Sequence, residues 1–445
     1  MSASASNSLK ISLAVLALAA VTATASFAQA APASSMSPSI GPGLPSIDGI
    51  FHYALTGSEQ ISTGYAGSGA LYSTALSGDA SFSSKSEVTP FSMVYAGGLL
   101  LGNQYGSTVS TFQSLALSQG LVRGAWNFGI SDSISYLPNS PTTGLSGVPG
   151  VGDLGLQPIQ GPSSGPAGGI LTNNAVSISN YLGGNVERRL SALTSISGNG
   201  SWMILRFPNG NGLDNTQISG LVGLNHRLDP RDTISGNVSY STFSYGSGID
   251  LTVQTRGVNG VFQRVLSRTL AMNVSVGPQW INSSNSALVP SRVTVAADAS
   301  LIYGGKSTNA NLSYMRGTNG GSGVQPGASS DSVTASVGRS YGPDWVASLS
   351  ASYTHTSGLL APSALVGSPE LNALLPYGGG SGNTVFGGAQ VSRRLGESLS
   401  AFASYNLQHQ SIGSTLASQN AFSGFTHTFG IGITFSPRST RLGQF

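Results

Sequence analysis

Residues 425–435 read FTHTFGIGITF, and larger apolar residues alternate in this stretch with Thr and Gly. One face carries Phe, His, Phe, Ile, Ile and Phe, whereas the other carries only Thr and Gly. A period of two places successive side chains on opposite faces, which predicts a β-strand. The stretch exceeds the soluble average of about 5–6 residues and matches the roughly 9–11 that a tilted strand needs to cross a bilayer.

The same alternation recurs along the chain between Gly49 and Pro437, for example in residues 270–276, 293–303, 345–353 and 399–405. The second face is Ser, Thr, Asn and Gly, almost without charge. An apolar face towards lipid and a polar face towards an aqueous interior predict an all-β fold, a transmembrane antiparallel up-and-down β-barrel. Counting back from the short turns predicts about eighteen strands, with sixteen as the alternative. An even number places both ends of the barrel on the periplasmic side.

The composition supports this interpretation. Charged residues make up 8% of the 445 residues, the net charge is +3, and there are 61 Gly and 76 Ser, whereas soluble domains carry roughly 25% charged residues. These values argue against a charged disordered tail, a nucleic-acid binder, a coiled coil and an ordinary cytosolic enzyme. The chain has no Cys, and its five His lack metal-ligand spacing. We therefore expect no disulfide, no metal and no cofactor.

The N-terminus has the pattern of a secretory signal peptide. Lys10 precedes an apolar run over residues 11–21, and Phe27-Ala28-Gln29-Ala30 provides a small-residue cleavage site. The run is too short to span about 30 Å of hydrocarbon. The predicted organisation is a signal peptide at 1–30, a flexible leader at 31–48, the barrel at 49–437 and a C-terminal extension at 438–445.

The connections between predicted strands alternate in kind. Short turns lie near residues 190, 230, 267, 305, 342 and 396, and most follow an Arg that we interpret as a polar cap at the membrane interface. Between them lie mostly longer segments, of which 140–175 and 359–381 are the longest. Short turns on one side and longer loops on the other are typical of outer-membrane barrels. The apolar segment 359–381 is predicted to fold into the barrel mouth or against a neighbour.

The hairpin turns carry a family resemblance. Residues 263–270, QRVLSRTL, and residues 228–240, LDPRDTISGNVSY, resemble the turns of bacterial outer-membrane β-barrel proteins of the porin type. The resemblance covers residues 49–437 and implies a fold and an outer-membrane location rather than a substrate. Such barrels usually end on a strand with a terminal aromatic. Either Phe435 or Phe445 could be that aromatic, because eight residues follow the last predicted strand.

Charged residues within predicted strands are scarce, which makes them candidates for pore lining. Asp79 and Asp298 alternate with the Ser/Thr face, and Arg256 shares a face with Thr252 and Gln254, so all three are predicted to point into the lumen. Asp132 falls on the face of the apolar residues, which predicts either a bulge at this position or a place above the membrane. Aromatic residues near strand ends predict two interfacial girdles. Their candidates are Tyr303, Trp345 and Phe435 on the periplasmic side, and Trp280, Tyr353 and Tyr405 on the outer side.

The favoured function is passive diffusion of small, weakly charged solutes through the outer membrane, because 16–18 strands leave an aqueous interior. The alternative is a structural or partner-binding surface barrel with a plugged lumen, which includes an accessory to envelope polymer export. A membrane serine hydrolase is disfavoured, since with 76 Ser some Ser lies near a His by chance. We expect no enzyme and no nucleic-acid partner. The expected partners are outer-membrane lipid, the barrel-assembly machinery and small solutes, and homo-oligomerisation is left open.

Overall fold

The computed structural model describes residues 49–64, 69–102, 109–137, 176–209, 212–246, 250–321, 325–361, 380–413, 423–437 and 440–442. They form one antiparallel sheet in which each strand from β1 to β18 pairs with its neighbours in the chain, and β19 pairs with β1. The strands are β1 Gly49–Thr63, β2 Leu71–Ser84, β3 Phe91–Gly102, β4 Val109–Arg123, β5 Trp126–Leu137, β6 Ser177–Arg189, β7 Thr194–Arg206, β8 Asn215–Arg227, β9 Asp232–Tyr245, β10 Leu251–Val265, β11 Leu270–Ser283, β12 Arg292–Gly304, β13 Thr308–Asn319, β14 Ala328–Tyr341, β15 Trp345–Gly358, β16 Ser381–Arg394, β17 Leu399–Gly413, β18 Gly424–Phe435 and β19 Thr440–Leu442.

The sheet closes on itself because β1 pairs with β18 as well as with β2. The closing register runs from Leu55 opposite Phe435 to Thr63 opposite His427. The short strand β19 continues this seam by pairing with the first three residues of β1. Closure leaves no open sheet edge in the wall, which is the condition for a β-structure to stand in lipid.

The strand prediction is confirmed. Each of the eighteen predicted strands overlaps one of β1 to β18, and their ends agree within three residues. The alternative of sixteen strands is therefore wrong. Part of the predicted C-terminal extension forms β19, whereas the predicted signal peptide, the leader and Phe445 lie outside the described residues.

Short and long connections lie at opposite rims, because consecutive strands are antiparallel. The short turns join even-numbered strands to the next strand, and all of them lie at the rim that also holds the start of β1 and the end of β18. We call this rim the short-turn rim and the other the long-loop rim. The connections after β5 and β15 belong to the long-loop rim.

The turn between β8 and β9 shows how these short turns are held. The Oδ1 atom of Asp229 accepts hydrogen bonds from the backbone N–H of Arg231 at 2.6 Å and of Asp232 at 2.8 Å. These bonds favour the ionised carboxylate and lower the pKa of Asp229 below its ordinary value. At pH values above the ordinary pKa of an aspartate, the ionised carboxylate therefore stabilises the turn fully. This contribution to the stability of the fold is lost as the pH falls through the lowered pKa.

The outer face of the wall is apolar. On β18 the exposed residues are Phe425, Phe429, Ile431 and Ile433, as the alternation predicts, and β11 and β12 expose Val276 and Val295 in the same way. No helix in the described part of the chain is long and apolar enough to cross a membrane.

Four carboxylates, Glu59, Asp132, Asp232 and Asp331, interrupt this apolar outer face, and each has a partner within the chain. Asp132 pairs in unbroken register with Leu117 and Leu182, so the bulge that we considered there is absent. Its Oδ1 atom accepts a hydrogen bond of 2.8 Å from Asn180 Nδ2. Glu59 shares the outward face of Leu55 and Ile61, and Thr74 Oγ1 donates to it at 2.9 Å.

We expect the same substitution at two adjacent residues of β11 to reduce the free energy of unfolding by very different amounts. Val276→Arg places a charge on the outer face and should cost about 2–4 kcal/mol of unfolding free energy near the middle of the bilayer. Ser275→Arg should cost much less, because Ser275 points inward and pairs with Asp298. Denaturant unfolding in lipid vesicles measures both. Equal costs would contradict a lipid-facing outer wall.

Candidate functional site

The interior of the barrel is the candidate site, and one side of it is a polar wall. On β1 the inward residues between Ala54 and Thr63 are Thr56, Ser58, Gln60 and Ser62. β2 and β15 to β18 continue this wall with uncharged hydroxyl and amide groups, apart from the carboxylate of Asp79. The inward members are Ser73, Ser77, Thr354, Thr356, Thr384, Gln408, Gln410 and Thr426.

The opposite side carries an apolar cluster at the long-loop rim. β9, β10 and β11 contribute inward side chains, and three connections add theirs, so that a compact hydrophobic patch forms inside the mouth. We call this the mouth cluster. Its buried members are Leu213, Phe243, Tyr245, Leu251, Val253, Ile281, Val289, Leu359 and Leu360.

Backbone hydrogen bonds hold the connections over this cluster. Ala361 N donates to Leu288 O at 2.8 Å, which joins the connection after β15 to the connection after β11. Leu359 N donates to Gly327 O at 3.2 Å, and the φ of Gly327 is +81°, a left-handed conformation that favours glycine. Residues 359–361 therefore fold inward across the mouth, as predicted for the start of segment 359–381. Residues 362–379 lie outside the described part of the chain.

Two of the three predicted lumen charges point into the interior. Asp79 lies among the inward residues of β2 and is 5% exposed. Asp298 points inward from β12, where Asn273 Nδ2 donates to its Oδ1 atom at 3.1 Å. Nine strands lie between the two carboxylates in one direction around the ring and seven in the other, so they lie on different sides of the barrel and form no charged ring.

The prediction for Arg256 is wrong, because this residue points outward. It pairs with Tyr240 and Trp280, which are both exposed on the outer face. Arg256 does share a face with Thr252 and Gln254, but here the apolar residues Leu251 and Val253 are the inward ones. They pack in the mouth cluster, which reverses the usual polarity of the two faces at the long-loop end of β10.

Sequence reasoning also missed inward charges at the short-turn rim. Arg189, Arg227 and Arg394 end β6, β8 and β16, and their strand partners are the inward residues Ser195, Thr233 and Ser400. The guanidinium groups of Arg227 and Arg394 donate to carbonyl oxygens of nearby turns, which accounts for their position. The signal in the sequence is the Arg that precedes most short turns. Whether that Arg points inward or outward depends on the register of its strand.

The six predicted girdle residues all lie on the outer face. Tyr303, Trp345 and Phe435 lie towards the short-turn rim, and Trp280 and Tyr353 lie towards the long-loop rim. Tyr405 is the seventh of the 15 residues of β17 and lies at mid-strand, so its prediction as a residue of the outer girdle is wrong. At the short-turn rim three arginines also stack on aromatic rings, with the guanidinium carbon 5.0–5.2 Å from the ring centroid. These pairs are Arg188 with Trp126, Arg339 with Tyr341, and Arg393 with Trp345.

The described residues offer no assembled catalytic group. Three of the five His lie on the outer face near the long-loop rim, where His427 Nδ1 is hydrogen-bonded to Tyr405 OH at 2.9 Å and His355 Nδ1 to Asn383 Oδ1 at 2.9 Å. His409 instead stacks on Phe425 with ring centroids 4.0 Å apart. Among these residues no group of three metal-ligating side chains comes together either.

Strand number, closure and the polarity of the two faces define the class of protein. Eighteen antiparallel strands, short turns on one rim, an apolar outer face and an interior with a hydroxyl-rich wall are the architecture of porin-type barrels of the bacterial outer membrane. The chain has this architecture, and the architectural prediction is confirmed.

Solved structures with a similar course of the chain come from Pseudomonas aeruginosa. OccK2 (OpdF) has 10% identity and a TM-score of 0.42, covering 87% of this chain and 97% of that one. The complex of OccK2 with glucuronate has 10% identity and a TM-score of 0.41, covering 87% of this chain and 98% of that one. OpdK with vanillate has 9% identity and a TM-score of 0.40, covering 88% of this chain and 99% of that one. No protein-family model matches this sequence, and no curated protein matches it.

We expect the mouth cluster to hold its connections in place. Phe243→Ala removes a ring that is 2% exposed and leaves a cavity, which typically costs about 3–5 kcal/mol. The backbone amide of Ala361, bonded to Leu288 O, should then exchange its hydrogen faster, whereas amides in β14 should not change. Hydrogen–deuterium exchange measures both. Phe112→Ala, an inward ring outside this cluster, is the control and should leave Ala361 protected.

Proposed function

We propose that this barrel is a diffusion channel of the bacterial outer membrane for small, weakly charged solutes. The observation that carries the proposal is the closed ring of eighteen strands, since barrels of 16–18 strands are wide enough for an aqueous interior. The polar wall on β1, β2 and β15 to β18, uncharged apart from Asp79 and the rim residue Arg394, supports passage of solutes that hydrogen-bond without carrying much charge. We further propose that residues 1–30 direct export and that the barrel-assembly machinery inserts the mature chain.

The positions of the inward charges support weak selection between ions. Strong selection needs rings of like charge at a constriction. Asp79 and Asp298 stand on separate sides of the interior, so they form no such ring. Asp79 is buried, and the field of a single charge that meets water, such as Asp298, is screened within about 8–10 Å at physiological salt. The arginines at the short-turn rim oppose their sign rather than add to it.

We expect the channel to conduct in a planar bilayer with little preference between cations and anions. Asp298→Asn should shift the reversal potential only slightly, because one screened carboxylate contributes little to the field. Reversal potentials in a salt gradient measure this, and liposome swelling with neutral sugars tests solute passage. A preference of at least tenfold for one ion sign would contradict the proposal.

The second candidate is a structural or partner-binding barrel whose mouth is closed. The specific observation in its favour is the inward fold of residues 359–361 over the mouth cluster. Conductance separates the two candidates. Leu359→Ser with Leu360→Ser should raise the conductance of a channel by loosening its mouth, without changing ion preference. Absence of conductance in both the wild type and this variant would favour the structural candidate, and loss of a secreted polymer on deletion would indicate an export accessory.

We expect the short-turn rim to face the periplasm and the long-loop rim to face outside. The chain has no Cys, so single introduced thiols report cleanly. Ser286→Cys, exposed after β11 at the long-loop rim, should react with a membrane-impermeant maleimide on intact cells. Ser267→Cys, in the turn after β10, should react only after the outer membrane is opened. The reverse pattern would overturn this orientation.

A further inference from the structure

A groove of about 780 Å³ crosses the outer face of the barrel from β4 to β9. Its lining is almost wholly apolar and includes the outward side chains of Phe128, Val222 and Tyr240. Its floor is formed where three outward positions on β6, β7 and β8 are glycines. These are Gly184, Gly200 and Gly220, which lie directly opposite one another in the register of the three strands. We call this feature the outer groove.

Nothing within the chain requires glycine at the floor of the outer groove. A Cβ atom built on Gly184, Gly200 or Gly220 would meet no heavy atom nearer than 3.8 Å. None of the three has a left-handed φ. Side chains at these positions would instead extend into the groove and fill it, so the glycines keep open a space outside the protein.

The outer groove runs obliquely between the two rims. The glycines of the floor belong to one row of residues that are paired from strand to strand. This row begins at Ile130, the fifth residue of β5 from the short-turn rim, and passes through Gly200 at the middle of β7. It continues through Gly220 to Tyr240, which pairs with Arg256, the sixth residue of β10 from the long-loop rim. The row therefore crosses the middle of the wall and ends beside Trp280, one of the residues of the outer aromatic girdle.

Arg256 stands at the girdle end of this row with no partner of its own. It is exposed between Tyr240 and Trp280, and it makes no hydrogen bond or ion pair with any described residue. The outward residues beside it carry no carboxylate. Several other outward arginines have partners, as Arg316 pairs with Asp331 at 3.4 Å and Arg264 with Asp232 at 3.6 Å. Arg123, at the short-turn end of β4, is like Arg256 in having no partner among the described residues, but it lies far from the outer groove's girdle end.

We propose that the outer groove and Arg256 together form a binding site for a phosphate-bearing lipid of the outer leaflet. The phosphate would accept charge-assisted hydrogen bonds from the guanidinium of Arg256, and an acyl chain would lie over Gly220 and Gly200. Trp280 and Tyr240 mark the depth at which headgroups meet the hydrocarbon. The inference rests on the membrane location in the proposed function, but it does not require conduction.

Charge complementarity favours a lipid over a second copy of this barrel. A protein partner would need an acidic group opposite Arg256. The outward carboxylates of the described strands, Glu59, Asp132, Asp232 and Asp331, all have partners within the chain. A lipid phosphate is the abundant anion at this depth and carries the chain that the apolar groove fits.

The test is lipid binding by the full mature barrel in a non-ionic detergent, with dimyristoyl phosphatidic acid as the probe. Native mass spectrometry should show a bound lipid whose affinity falls about tenfold in Arg256→Gln. Gly200→Leu fills the groove and should weaken binding to a similar degree. Arg316→Gln, another outward arginine, and Gly260→Leu, an outward glycine with open space off the groove, are the matched controls and should bind as the wild type does.

Three outcomes would overturn this site. The first is unchanged binding in both Arg256→Gln and Gly200→Leu. The second is competition by inorganic phosphate that is as strong as competition by dimyristoyl phosphatidic acid itself, since the groove would then contribute nothing to binding. The third is a homo-oligomer that Gly200→Leu dissociates while lipid binding persists, which would assign the groove to a second copy. Folded variants that conduct normally but bind less lipid support the site, and a barrel that binds lipid without conducting would contradict only the channel proposal.

Discussion

The whole structure depends on one constraint, which is that no backbone N–H or C=O of the wall can be left unpaired in lipid. The seam between β1 and β18 meets it by joining the first and last strands in continuous register, and β19 extends the pairing at the short-turn rim. Without this seam the sheet would have two open edges. Strand number, the position of the chain ends and the separation of the two rims all follow from closure.

Closure also decides which way each side chain points. Paired residues share a face, so the register carries orientation from strand to strand around the ring. In this way the outward position of Trp280 determines that of Arg256, and the outward Leu117 determines that of Asp132. A one-residue slip at any pair would exchange the lipid face and the water face of a strand.

The sequence was sufficient for features that are local. Strict alternation in residues 425–435 and short turns such as 266–269 are encoded within a few residues, and the structure has them where predicted. The face of Arg256 was not local, because it depends on Leu251 and Val253 packing beneath connections from distant strands. The outer groove was equally hidden, since Gly184, Gly200 and Gly220 become neighbours only through the register of three strands.

The exceptions to the two-faced pattern are therefore the most informative residues of the wall. A carboxylate on the lipid face is tolerated when the chain supplies its partner, as Asn180 does for Asp132 and Thr74 for Glu59. Apolar residues on the inner face are explained where connections cover them, as in the mouth cluster. Arg256 and the glycines of its row have no such internal explanation. The outward carboxylates of the described strands all have partners within the chain, so a partner for this arginine must come from outside it, which is the ground for proposing a lipid site there.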